Sequence, residues 1–401
     1  MTYPSEKLGK YIDVLPGYAF KSKDFTDAGI PVIKIKNVSP PIVSLEDLSY
    51  VSKHIADVSK KFSLSYDDVL IALTGSHINQ MASVVGRVAR VKYHTPSLLN
   101  QRVGKITSKD DDVCDIDYVY YFLSQETTKI SLASKAGGAA NQANISPTDV
   151  KNLLMRFPPI DIQRRISSVL RAYDSLIENN QKQIKLLEEA AQRLYKEWFV
   201  DLHFPGYKDT KIADGVPEGW RFLTLKEIAN VVMGQSPKSE FFNQKHEGMP
   251  FHQGVGSYGT RFVIDETYST SYTRIAKAGS ILFSVRAPVG RMNYTKNRIV
   301  IGRGLAAINH KEHLQSFLFY MLKDKFYKDD IIGNGSIFAS ITKTDLLNQK
   351  FIVPSNRLDR RYNEIVISID SKIAGLDNSI KLLQQARDRL LPKLMSGELE
   401  V

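Results

Sequence analysis

A single cysteine, Cys114, stands among 401 residues, so no intrachain disulfide can form, and such sparing use of thiols points to a reducing compartment. No stretch approaches the roughly eighteen consecutive apolar residues of a membrane-spanning helix. The opening Met1 to Lys10 is polar and has none of the apolar core of a secretory signal. A cytoplasmic protein with no membrane partner is therefore expected. Nucleotide-binding signatures are missing too: there is no Gly-x-x-x-x-Gly-Lys-Ser/Thr phosphate loop and no Gly-x-Gly-x-x-Gly turn between a strand and a helix. Without a His-Glu-x-x-His pair or cysteines spaced for zinc, metal-dependent hydrolysis loses its usual ligands. The eight histidines are scattered, with His252, His310 and His313 the nearest to a group, and no metal site is expected. Phe157-Pro158-Pro159-Ile160 lacks the leading amide or acid and the closing aromatic of the tetrapeptide with which amino-methyltransferases hold a flipped base.

What the chain has in excess is positive charge. Its net charge is +11 and its isoelectric point is near 9.3, which favours a polyanionic partner. Residues 205–353 hold 20 Lys and Arg against 13 Asp and Glu, whereas residues 1–155 hold 18 against 16, so the surplus is concentrated in one segment. Seven arginines lie in that segment, and the planar guanidinium fork matches phosphates and guanine edges in a bidentate way.

The chain also repeats itself. Shifted by 196 positions, Ile145, Asp149, Asn152, Pro158, Arg164, Arg165, Asp174, Ser175 and Ile177 fall on Ile341, Asp345, Asn348, Pro354, Arg360, Arg361, Asp370, Ser371 and Ile373. Ile184 to Leu187, Ala190, Arg193 and Leu194 likewise recur as Ile380 to Leu383, Ala386, Arg389 and Leu390. A tandem duplication of this kind predicts a pseudo-twofold molecule, suited to a ligand with two similar halves.

Each duplicated stretch carries a long helical pattern. Ile166, Leu170, Tyr173, Ile177, Asn180, Ile184, Leu187, Ala191, Leu194 and Trp198 follow one another at spacings of four and three. Tyr362, Val366, Ile369, Ile373, Leu376, Ile380, Leu383, Arg387, Leu390 and Leu394 repeat that seam at the same offset. Neither helix can bury its seam alone, so the two are expected to pack on each other. Asn180 is a polar residue on the seam that would either set register or lie at its edge, and Pro392 would kink or end the second helix. The prolines at 158, 159 and 354 precede the helices, and Pro205-Gly206 stops the first. The organisation read from these marks is a first domain over 1–157, a helix over 158–204, a second domain over 205–353 and a second helix over 354–401.

Within the domains the pattern is mixed. Short β-like runs occupy Pro31 to Val38, Asp68 to Leu73, Ser83 to Val91 and Arg102 to Thr107, and then Ile281 to Arg286, Arg291 to Thr295 and Leu305 to Ile308. Each domain continues into an aromatic helix, Tyr118 to Leu123 or Phe317 to Leu322, and a small-residue loop, Gly137-Gly138-Ala139 or Gly333-Asn334-Gly335. Polar and basic residues cluster beside the strands. Lys34 and Lys36 alternate, so both would share one strand face, and Asn100, Gln101, Arg102 and Lys105 offer amides and cations of the types that read bases and phosphate. In the second domain Gln235, Ser236, Lys238 and Ser239 share one turn, followed by Gln253, by Arg286 and Arg291 across the Ala287-Pro288-Val289-Gly290 turn, and by Arg303.

At these residues the chain resembles the specificity subunit (HsdS) of Type I restriction-modification systems. The resemblance rests on the order domain, helix, domain, helix, on Gly234-Gln-Ser-Pro-Lys-Ser239 and Ser284-Val-Arg-Ala-Pro-Val-Gly-Arg291, and on the heptad segments from Pro158 and Pro354. In the first domain the second of those segments reads Ala72-Leu-Thr-Gly-Ser76, with Val85-Gly86-Arg87 following after an insertion. The resemblance implies an α+β fold in which two pseudo-twofold-related α/β target-recognition domains are separated by an antiparallel two-helix coiled coil. It further implies that the chain does no catalysis and binds no cofactor, that it reads a bipartite double-stranded DNA target, and that two modification (methyltransferase) subunits and restriction/translocase subunits join it. S-adenosylmethionine, Mg and ATP would sit on those partners. From the residues alone two rivals stay open: a degenerate DNA-modifying enzyme, and a non-catalytic interaction scaffold whose basic charge is incidental.

Overall fold

Val69–Ala72 is apolar at every position, and its alternate side chains enter two different cores. Val69 and Ile71 join the cluster that contains Ile12, Tyr118, Ile166 and Leu391, while Leu70 and Ala72 join the one that contains Ile33, Val43 and Leu99. Because side chains on a strand alternate between faces, a strand covered on both sides must be apolar throughout. Ile281–Ser284 does the same in the second half of the chain: Ile281 and Phe283 face the cluster of Trp198, Phe317 and Tyr362, and Leu282 faces that of Ile299 and Ile301.

The computed structural model describes residues 3–75, 85–136, 143–326, 340–354 and 357–401. The predicted loops at 137–139 and 333–335 lie outside the described residues. Two compact units make up the chain, one of Met1–Ile177 with Leu382–Val401, the other of Glu178–Lys381. In the first unit a sheet runs in the order Ile12–Pro16, Val103–Ser108, Val69–Ala72, Val88–Arg90, and adds the short strands Ile42–Val43 and Val38–Ser39. A second sheet has the order Phe25–Thr26, Ser49–Val51, Ile30–Ile33, Ser97–Leu99, Ser63–Leu64, with one parallel pair, Ile30–Ile33 beside Ser97–Leu99.

The second unit repeats this connectivity by itself. Its four-stranded sheet has the order Ala229–Met233, Leu305–His310, Ile281–Ser284, Met292–Tyr294. Its five-stranded sheet runs Phe242–Asn243, Tyr268–Ser269, Met249–His252, Ile299–Ile301, Ile275–Ala276, again with the central pair, Met249–His252 and Ile299–Ile301, parallel. The aromatic helices predicted from sequence are Ile116–Ser124 and Gln315–Phe326. Each unit then has a one-turn helix, Pro147–Lys151 or Lys343–Leu347, begun by a side-chain cap. Ser146 Oγ accepts from the Asp149 N–H at 3.2 Å and Thr342 Oγ1 from that of Asp345 at 3.2 Å, which explains why Ile145–Asp149 and Ile341–Asp345 recur so closely.

Two long helices follow, Ile160–Phe199 and Leu358–Ser396. All twenty positions of the predicted seams are buried or half-buried and none is exposed, so the 4-3 spacing reports the packing face. In the first unit Ile166 and Leu170 share a core with Leu391 and Leu394, and Asp174 meets Arg387 at 2.7 Å. In the second unit Asn180 Nδ2 donates to Ser379 Oγ at 3.1 Å, while the Tyr362 hydroxyl donates to the Ala191 carbonyl at 2.9 Å. Within each unit, therefore, later residues of one helix meet earlier residues of the other, and the pair is antiparallel. Pro392 neither ends nor visibly interrupts the second helix, which continues to Ser396. It sits on the exposed side in the last turns, where a lost N–H bond is easily tolerated.

One predicted strand is corrected. Pro31 to Val38 is two strands, Ile30–Ile33 and Val38–Ser39, separated by a 3-10 turn at Ile35–Asn37. Asn37 causes the break: its Oδ1 accepts the Lys34 N–H at 3.1 Å, its own N–H donates to the Lys34 carbonyl at 2.9 Å, and its amide holds the Glu46 carbonyl at 2.9 Å. An asparagine side chain that satisfies nearby backbone groups competes with the ladder. Lys34 and Lys36 consequently do not share a strand face.

Candidate nucleic-acid interface

Three backbone segments of the second unit meet at the C-terminal end of the central parallel pair of the five-stranded sheet. The Gly234 N–H donates to the Leu305 carbonyl and that of Gln235 to the Ile301 carbonyl, both at 2.9 Å. Gly302 N–H donates to the His252 carbonyl at 2.8 Å. The approach is close enough to require glycine: a Cβ on Gly234 would stand 2.1 Å from the Gly302 carbonyl oxygen, and one on Gly302 would stand 2.4 Å from Gln253 Oε1. Above the backbone lies a hydrogen-bonded chain, in which the Arg303 N–H donates to Ser236 Oγ at 3.2 Å and Ser236 Oγ donates to Gln253 Oε1 at 2.7 Å. The surface here is a broad groove of about 970 Å³, lined among others by Ser236, Ser239, Gln253, Glu266 and Arg303.

Four of the residues singled out from sequence are thus brought together, although 17 positions separate Ser236 from Gln253 and 67 separate Ser236 from Arg303. Gln235 is exposed on the same turn, and its carbonyl accepts from the Thr273 hydroxyl. Lys238 is exposed beside it, 3.8 Å from Glu240, a solvated pair of little energetic weight.

The first unit builds the same junction from other side chains. Gly17 N–H donates to the Val103 carbonyl at 3.1 Å, Tyr18 N–H to that of Leu99 at 2.9 Å and Asn100 N–H to that of Ile33 at 3.1 Å. A Cβ on Gly17 would lie 2.2 Å from the Leu99 carbonyl oxygen. Matching these bonds to those of the second unit aligns Tyr18 with Gln235, Lys34 with Gln253, and Asn100-Gln101-Arg102 with Gly302-Arg303-Gly304. Lys34, Asn100, Gln101 and Arg102 therefore gather at the register positions that carry the second groove. Gln101 and Arg102 are exposed. The Lys34 ammonium sits 3.8 Å from the centre of the Phe25 ring, and burial, with the charge of Lys36 adding to it, lowers its pKa. Lys36 lies outside this junction in the adjoining turn, exposed and 3.9 Å from Asp47.

Three further predicted residues are placed elsewhere. Lys105 points away from the junction on the strand Val103–Ser108 and is held by Asp68 at 2.7 Å. Arg286 is exposed on a strand extension that bridges to Ser340. Arg291 is half-buried and lines a separate cavity of about 340 Å³ together with Glu188, Arg261, Asn293 and Lys323. This cavity lies where the recognition fold of the second unit meets its helices.

That meeting point holds buried ion-pairing residues that are not evident from the sequence. Arg261, only 2% exposed, reaches Asp370 at 2.7 Å and Glu188 at 3.3 Å, one acid from each long helix, and its guanidinium lies 3.7 Å from the centre of the Phe319 ring. Burial alone would depress its pKa, but the neighbouring Tyr320, Tyr294, Asp370 and Glu188 outweigh burial and raise it. The first unit uses Arg90, which is 5% exposed and lies 4.1 Å from the Tyr120 ring centre, with Asp117 at 2.6 Å. Arg171 of the long helix closes that network through ion pairs to Asp117 and Asp67. The repeat partners Asp174 and Asp370 do equivalent work: Asp174 accepts from the Tyr121 hydroxyl at 2.7 Å, and Asp370 from the Ser316 hydroxyl at 2.5 Å. Each aspartate fastens the aromatic helix of its own unit to a long helix. Their recurrence 196 positions apart was the available signal.

No helix among the described residues is long and apolar enough to cross a membrane, and no cluster of metal-ligating side chains occurs among them. Comparison with known proteins agrees with a junction built twice. A Methanocaldococcus jannaschii protein assigned as the MjaX specificity subunit of a type I restriction enzyme is 29% identical over 379 residues, 93% of this chain and 88% of its own length. The MjaIX specificity subunit of the same organism is 25% identical over 403 residues, 95% of this chain and 89% of its own. The crystal structure of the S subunit of a Type-I restriction-modification system from M. genitalium has a similar fold, with a TM-score of 0.57 over 98% of this chain and 96% of that one at 17% identity. The model of one family matches twice, over residues 6–189 and again over 217–384, once for each recognition fold with its long helix, and by those matches the chain belongs to the Type I restriction modification DNA specificity domain family.

Proposed function

We propose that this chain is the DNA-reading subunit of a Type I restriction-modification complex, in which each unit reads one half of a bipartite double-stranded target. The observation that carries the proposal is the duplicated three-segment junction. Its three backbone bonds are the same in both units, whereas its side chains are half-buried Lys34 with exposed Gln101 and Arg102 in one and exposed Gln253, Arg303 and Glu266 in the other. A scaffold kept while its outward chemistry changes is what two readers of different base sequences need, because base edges are distinguished by donor and acceptor pattern. A scaffold indifferent to DNA has no use for that difference.

The chain is on this reading a recognition subunit and not an enzyme. S-adenosylmethionine, Mg and ATP belong to its partners, two modification subunits and the restriction subunits. The outer face of the long helices supports paired docking. Leu186 and Leu382 occupy the same repeat position and are 64% and 58% exposed, large apolar side chains left in water at two equivalent places.

Helix length is the remaining part of the proposal. A helix of 40 residues is about 60 Å long, more than the ~34 Å of one DNA turn, so its length is a candidate ruler for the gap between half-sites. Insertion of one heptad, or of about four residues, between Ile166 and Trp198 is expected to change the gap tolerated between the half-sites while leaving both half-site sequences unchanged. Methylation sequencing of the assembled complex checks this, and an unaltered gap preference would refute it.

A further inference from the structure

The groove of the second unit has a donor and acceptor pattern that selects among base pairs. Arg303 is exposed, and its guanidinium forms no hydrogen bond or ion pair among the described residues, so its donors face the groove. Gln253 has its Oε1 engaged by Ser236 Oγ at 2.7 Å, and that hydroxyl is itself held by the Arg303 N–H, which leaves the Gln253 Nε2 hydrogens as the side chain's outward group. The third polar group is the Glu266 carboxylate, an acceptor that is likewise exposed and has no ion partner among the described residues.

Behind these groups the protein ties their backbones together. His252 is 1% exposed; its Nε2 meets Asp265 Oδ1 at 2.9 Å and its Nδ1 meets Ser257 Oγ at 2.8 Å. The bond to His252 holds the Asp265 carboxyl below the usual carboxylate range. Gln253 and Glu266 are the next residues along their respective segments. The buried His252 and Asp265 are therefore positioning residues, fixing the separation of the amide and the carboxylate they precede. At the matching register position the first unit has Ile33, fully buried and apolar, so this polar brace is particular to the second groove.

Two donors beside one acceptor do not suit a phosphate, because Glu266 would repel it. They match a G·C pair seen from the major groove, where guanine presents N7 and O6 as acceptors and cytosine presents its N4 amine as a donor. An adenine read by Gln253 would have to share the amide oxygen with the Ser236 hydroxyl, whereas guanine asks only for donors. Resting on the DNA-reading role proposed above, the geometry points to a G·C base pair as an obligatory element of the half-site read by the second unit, with Arg303 and Gln253 donating to guanine and Glu266 accepting from cytosine.

The test uses the assembled modification complex and duplexes carrying its methylation target. The half-site belonging to the second unit is identified by exchanging residues 205–353 for those of a relative. Substituting 7-deazaguanine for one guanine of that half-site, which removes N7, is expected to weaken binding roughly 10- to 100-fold. Arg303→Ala should lose a similar factor on the natural duplex, lose its preference for G·C at that position only, and be indifferent to 7-deazaguanine. Glu266→Gln should weaken discrimination at the same base pair, and Asp265→Asn, which loosens the brace behind Gln253 and Glu266, should weaken it at that base pair and not at the other half-site. A half-site of A·T pairs only, or an Arg303→Ala complex that relaxes an A·T position of the same half-site, would overturn the assignment while leaving the DNA-reading role intact. Equal loss at both half-sites would instead overturn the reading on which it rests.

Discussion

Replacing Asp370 with alanine should destabilise the second unit by about 3–5 kcal/mol, the usual consequence of removing one partner from a buried ion pair. Arg261 decides the size of the effect. At 2% exposure it cannot turn to water, and once Asp370 is gone its charge is left with one acid, Glu188 at 3.3 Å, the Tyr320 hydroxyl at 3.4 Å and the surrounding aromatic rings. The Ser316 hydroxyl loses its acceptor as well. Asp174→Ala, at the equivalent position of the first unit, should cost much less, about 1–2 kcal/mol. Its cation, Arg387, has a side chain 21% exposed and keeps Asp388 at 2.8 Å, so it can be resolvated. Adding Arg261→Met to Asp370→Ala should recover part of the loss, because deleting a buried charge together with its partner removes the desolvation penalty. Denaturant unfolding of the full chain, with hydrogen exchange of the peptides from residues 315–326, measures all three variants. Equal losses for Asp370→Ala and Asp174→Ala would mean that burial of Arg261 contributes nothing.

The contrast between these two aspartates shows what a sequence conveys and what it withholds. The seams at Ile166 to Trp198 and Tyr362 to Leu394 were legible because helix packing obeys one local period, and each seam position is covered as that period requires. Strands such as Val69–Ala72 and Ile281–Ser284 were legible because a strand covered on both faces must be apolar throughout. The turn at Ile35–Asn37 was not, since a side chain capping its own backbone overrides the alternation of Lys34 and Lys36. Candidate readers in the second unit came from a turn, a strand end and a distant Arg-Gly, and their convergence depends on which backbone segments glycine allows to touch. That is a tertiary property with no period in sequence. Glu266 was missed for the same reason: an isolated acid following Asp265 looks like a solvated charge until His252 is seen to hold that segment beside Gln253. Arg261 and Arg90 were missed because they arise from non-equivalent places in the two halves. The repeat reveals the shared aspartates but not the two arginines that do parallel work.

Tyr362→Ala is expected to cost about 3–5 kcal/mol, as removal of a large fully buried side chain does. The ring has no exposure and lies among five other aromatics: Phe199 at 5.3 Å, Tyr195 at 5.8 Å, Phe317 at 6.1 Å, Trp198 at 6.2 Å and Tyr320 at 6.4 Å between centroids. Three of these belong to the first long helix and two to the aromatic helix of the second unit, so one side chain of the second long helix joins three elements at once. The cavity left by alanine would be walled by rigid rings that cannot collapse into it, which places the loss toward the upper end of the range. Tyr362→Phe separates packing from polarity. It keeps the rings in contact and gives up only the hydroxyl bond to the Ala191 carbonyl, for about 0.5–1.5 kcal/mol. Burial pushes the Tyr362 phenol far above its ordinary pKa, so the hydroxyl stays protonated and neither variant should change its relative stability between neutral and mildly alkaline pH. Denaturant melts at two pH values measure both quantities, and a Phe variant as unstable as the Ala variant would show that the hydroxyl bond, not the packed rings, holds the three helices together. If packing dominates, Tyr362→Ala should also relax reading of the second unit's half-site before that of the first, because every group the ring touches lies within the second unit.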